Sequence, residues 1–142
     1  MFTLQNITMK RNIKLVLIIL SIGIFSSCKN GSSEAKLDGA WELRHVKGIQ
    51  VANADPNFPK GNGNILKFNA GKLEHYAEGK LLTTEEYTLK EEKKKINDTE
   101  AQYTLVFKNN NPEKHIALTD GKLILFDGEI AADGTESTYE KL

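Results

Sequence analysis

The chain is predicted to be all-β: an antiparallel up-and-down β-barrel of about eight strands. Three observations lead there. From Leu37 onward apolar residues alternate with polar ones, the period of a half-buried strand rather than a helix. The alternating segments are short and evenly spaced, with Gly, Asp and Asn between them. No window carries apolar residues at helical spacing. At 142 residues the chain holds one domain. A closed barrel is the arrangement that leaves such a sheet without open edges.

The elements follow in order. Lys10, Arg11 and Lys14 precede the apolar run Leu15 to Phe25, and small residues follow. That is the order of a secretory signal. The run has 11 residues, whereas a spanning helix needs about 20. Met9 opens "MKRNIKLVLIIL" and is the expected initiator. The run ends in Phe25, Ser26, Ser27 and Cys28, the only cysteine. These residues resemble a bacterial lipoprotein signal peptide. The resemblance implies cleavage after residue 27 and a lipidated Cys28. Acyl chains there would tie the protein to a bilayer at about 0.8 kcal/mol per buried CH₂. Residues 28–36 then read as a short polar tether. Lys29 stands where some bacteria place an inner-membrane retention Asp, which favours the outer membrane of the cell envelope.

The barrel domain spans residues 37–142. Trp41 and Leu43 share the first strand's inner face. Residues 48–64, with Pro56, Pro59, Gly61 and Gly63, form a long loop expected to pack as a flap on Val51 and Phe58. Leu66 and Phe68 mark a second strand, and "NAGK" turns it through Gly71 into Leu73, His75 and Ala77. A strand starting near Glu86 carries Tyr87 and Leu89 into the charged run Lys93-Lys94-Lys95, which suits an edge that must not pair with other chains. Tyr103, Leu105 and Phe107 share a face, as do Ile116 and Leu118. "TDGK" at 119–122 is a strong hairpin signal leading to Leu123 and Leu125. Ile124 and Phe126 make that strand apolar on both sides. Thr138 and Tyr139 lie in the last strand.

Gly39-Ala40-Trp41, the long loop after it, "LKFNAGK" and the closing "YEKL" resemble bacterial lipocalin-like domains. The resemblance implies an eight-stranded barrel with a small hydrophobic or amphipathic ligand. Its candidate contacts are Trp41, Leu43, Phe68, Tyr87, Tyr103 and Phe107. Trp41 reads first as a plug of the closed end, because a large buried aromatic there covers much area. The competing reading is a protein-interaction or inhibitor scaffold without a ligand cavity. It is motivated by the absence of a polar cluster among the inward positions.

Other chemistry is not indicated. Residues 28–142 hold 16 basic and 19 acidic residues, which gives no footprint for nucleic acid. His45, His75 and His115 sit on different strands without ligand spacing, so no metal site is expected. No nucleophile–base motif is present, and Glu85-Glu86 and Glu91-Glu92 point to opposite faces of a strand. No enzyme activity and no cofactor are expected.

Overall fold

The computed structural model describes residues 31–142. The leader, Met9 and Cys28 lie outside the described residues. Eight strands form one closed barrel: β1 Gly39–Lys47, β2 Ile65–Asn69, β3 Lys72–Ala77, β4 Lys80–Ile96, β5 Thr99–Phe107, β6 Lys114–Thr119, β7 Lys122–Asp127 and β8 Thr135–Lys141. Each pairs antiparallel with the next, and β8 pairs with β1 to close the ring. The all-β, eight-stranded, up-and-down expectation is met. The alternation explains why. Trp41, Leu66, Phe68, Leu73, Tyr87, Leu105, Ile116, Leu123 and Tyr139 come from all eight strands and form one interior core.

One end is plugged. Gly31–Leu37 forms a short helix, α1, where the sequence suggests a tether up to residue 36. Leu37 is fully buried in the core, and its carbonyl accepts a 2.7 Å hydrogen bond from Trp41 Nε1. Asp38 accepts from the Ala70 amide in the β2–β3 turn, and Ser33 Oγ donates to Glu91 of β4. Trp41 therefore fills this end beneath α1, and Lys141 of β8 lies 5.2 Å over its ring.

β4 is longer than expected, starting at Lys80 and carrying the Lys93–Lys95 run within the strand. A bulge between Glu91 and Lys94 bends it. β5 pairs with β6 only from Tyr103 to Leu105, and Gln102 Oε1 accepts the Leu118 amide beyond that point. The far end of the β4–β5 hairpin thus leaves the wall and lies as a strap over the outer face of β6 and β7. There Ile96 and Ala101 cover Ala117, Phe126 and Ile124 in a second apolar cluster. This is the physical reason β7 is apolar on both sides. At the strap's tip Asn97 accepts the Ile130 amide and faces the buried carboxylate of Glu136. Lys93–Lys95 lie past the last β3–β4 pair, on a stretch of β4 that β3 no longer covers.

Candidate functional site at the barrel mouth

Cross-strand partners share a face, so inward positions can be followed past the apolar core toward the open end. Leu73 lies opposite Glu85, and Leu66 lies opposite His75. Glu85 and His75 therefore point inward. Lys114 is paired with inward Leu105 on β6. Asp127 shares its face with Leu123 and Leu125 on β7 and lies beside Lys114, with 3.2 Å between Nζ and Oδ1. These four groups from β3, β4, β6 and β7 form a polar collar at the mouth, with Asp127 68% exposed at its rim.

The collar is ordered by its neighbours. Asn109 and Asn111 of the β5–β6 loop both donate to Oε1 of Glu85. Burial, and then Lys114, push the His75 pKa down, with Glu85 opposing. The neutral imidazole is the favoured form. Tyr139 rises from the core toward the same end. Burial lifts its hydroxyl to about 12, against a hydrogen bond with Ser137, and Asp127 adds to the rise. Below and beside the collar lie Phe107, buried, and the half-buried Val46, Phe58 and Leu125. The mouth thus places charged groups above an apolar floor.

The long loop forms one wall of this mouth, and Glu42 holds it there. Glu42 lies on the outer face of β1 yet is only 2% exposed. Its carboxylate accepts the Gly61 amide at 3.0 Å, the Gly63 amide at 3.2 Å and Arg44 Nη1 at 2.6 Å. Arg44 Nε donates to Glu140 of β8, so the latch also crosses the closing seam. Burial alone would raise the Glu42 pKa, but these donors outweigh it and hold it below the usual range. Gly63 has φ +75°, and a Cβ there would meet the Gly79 amide nitrogen at 2.5 Å. Only glycine lets the loop pass so close to the β3–β4 turn. Phe58 docks on the core, as expected, and its amide bonds Arg44 O. Val51 does not act as an anchor: it is 70% exposed, because the paired segment of the loop is residues 56–58.

The sequence-derived contacts lie deeper. Trp41, Leu43, Phe68, Tyr87 and Phe107 are buried in the interior core, and half-buried Tyr103 packs against it. Phe68 and Tyr87 meet edge to face at 5.7 Å. The Tyr87 hydroxyl is buried with no hydrogen-bond partner among the described residues. Burial, with Asp38 and Glu34 nearby, pushes its pKa up. Of the six, Tyr87 lies two residues from Glu85 of the collar, and Phe107 two residues from Asn109, which bonds that carboxylate. The expectation that the inward positions hold no polar cluster is corrected: the collar is such a cluster. Extending the alternation from Tyr87 back to Glu85, from Ile116 back to Lys114 and from Leu125 on to Asp127 would have revealed it.

Elsewhere the described surface carries two open depressions. One of about 390 Å³ at the α1 end is lined by Glu34, Lys72, Glu86 and Lys108, among others. One of about 300 Å³ at the β4 bulge is lined by Glu91, Glu92, Lys93, Gln102 and Tyr103. His45 bonds Asn57 in the loop, and His115 bonds the buried Thr104 with Lys94 on its other nitrogen. Among the described residues no group of three His, Cys, Asp or Glu is placed to hold a metal.

Fold and site together define a closed eight-stranded meander barrel with one plugged and one polar end. That strand number and neighbour order fit a lipocalin-like scaffold. No protein-family model matches the chain, and no curated protein or solved structure does so either.

Proposed function

We propose that this protein is a lipoprotein of the bacterial cell envelope, anchored through Cys28, whose lipocalin-like barrel receives a small amphipathic ligand at its mouth. The carrying observation is the collar of His75, Glu85, Lys114 and Asp127 above the apolar floor of Val46, Phe58, Phe107 and Leu125. Convergent polar groups over an apolar surface are what orient a small molecule. The core side chains beneath are buried, so the ligand seats in the mouth above them. The 48–64 loop, latched by Glu42, sets the width of the opening.

Two measurements test this. Mass spectrometry of the native protein should find diacylglycerol on the Cys28 sulfur. A bare thiol in a soluble fraction would remove the anchor. Amide NMR of the labelled protein, titrated with short alkyl amphiphiles, should show saturable shifts at residues 75, 85, 114 and 127. The scaffold reading keeps one observation in its favour: Val51, Leu81 and Leu82 are large apolar side chains left exposed. Absence of any saturable shift at the collar would favour it.

A further inference from the structure

Resting on the mouth-site reading, we propose that the collar selects the ammonium end of a small amphipathic amine and discriminates against carboxylates. The charges decide this. Glu85 and Asp127 are two carboxylates, and Lys114 is the single full cation among the four groups. Lys114 is already committed to Asp127 at 3.2 Å. His75 is biased toward its neutral form, because burial and Lys114 disfavour its protonation. With His75 in that form the collar carries one net negative charge, held at Glu85.

Glu85 is also presented in the right way. Asn109 and Asn111 both bind Oε1. They fix the carboxylate without neutralising it, and Oε2 has no partner among the described residues. A carboxylate accepts only, so what completes Glu85 is a further donor, and an ammonium offers three. Thr83, Ser137 and Thr135, which pair with inward His75, Leu125 and Asp127, add neutral hydroxyls at this level. An incoming carboxylate would meet two like charges and no unpaired cation. An incoming ammonium meets Glu85 directly and lays its alkyl part on Phe58, Val46 and Leu125.

The test uses the full chain in a non-ionic detergent with hexylammonium, hexanoate and hexanol, which share a chain length. Binding is read from amide shifts at residues 75, 85, 114 and 127. Hexylammonium is expected to bind about tenfold more tightly than hexanoate, the scale of one charge-assisted contact at a half-exposed site. Glu85→Gln should erase most of that preference while leaving the melting curve in place. Lys114→Met should tighten hexylammonium several-fold by freeing Asp127, whereas a carboxylate site would lose affinity. Equal or tighter binding of hexanoate overturns the ammonium assignment but leaves the mouth site standing. No shift with any of the three probes overturns both.

Discussion

Removing the Glu42 carboxylate should be among the costliest single changes on the outer face. In Glu42→Ala the amides of Gly61 and Gly63 lose their acceptor, and Arg44 keeps only Glu140. The carboxylate is nearly inaccessible and Arg44 is 15% exposed, so solvent screens the pair little. Breaking a buried pair by deleting one partner costs about 3–5 kcal/mol. Total stability of a small domain is about 5–15 kcal/mol, so the loss is a large share. For a barrel of this size each kcal/mol moves the melting temperature by about 4 °C. A drop of about 12–20 °C is therefore expected in thermal unfolding followed by circular dichroism. Glu42→Gln keeps the shape and one acceptor oxygen and should lose roughly half as much. Hydrogen exchange provides the local readout: the amides of residues 61 and 63 should lose protection in both variants, and those of the β6–β7 hairpin should not. A loss below about 1 kcal/mol with unchanged exchange at 61 and 63 would refute the latch.

Three further outcomes are expected. Ala70 adopts φ +46° in the β2–β3 turn, where Asn is tolerated better, so Ala70→Asn should stabilise by about 0.5–1 kcal/mol in urea unfolding. Phe126→Ala empties the cluster under the strap and should cost about 3–5 kcal/mol, with amides 96–101 losing exchange protection first. His75 and His115 both have folded pKa values below the ordinary 6.5, each through burial and then a nearby lysine. Their unfolded forms bind protons more readily, so their contribution is complete above pH 6.5 and is lost as the pH falls below it. Melts between pH 7.5 and 5.5 should show this decline, and a His75→Gln, His115→Gln double variant should flatten it.

The barrel was legible because its signal is local. Period-two alternation and Asp120-Gly121 sit within a few residues of one another, and nearest-neighbour pairing needs nothing more. Two-sided apolarity at Ile124 and Phe126 was visible as a pattern, but not its cause. The strap that covers them comes from Ile96 and Ala101 and depends on a bulge that no composition marks. Glu42 and Arg44 alternate with inward Trp41 and Leu43, and an alternating strand shows which face a residue takes but not what lies over that face. Their burial depends on where a loop about 19 residues onward comes to rest. The collar lay between these cases. Its parity could be counted from Tyr87, Ile116 and Leu125, but charged residues beyond the last apolar position look like the ends of strands.

α1 covers the barrel at the Trp41 end, over the plug and on the opposite side from the collar. The described barrel is in effect a cup whose short helix is fixed to its base. Because α1 is docked at the base through Leu37 and Asp38, it covers no part of the rim.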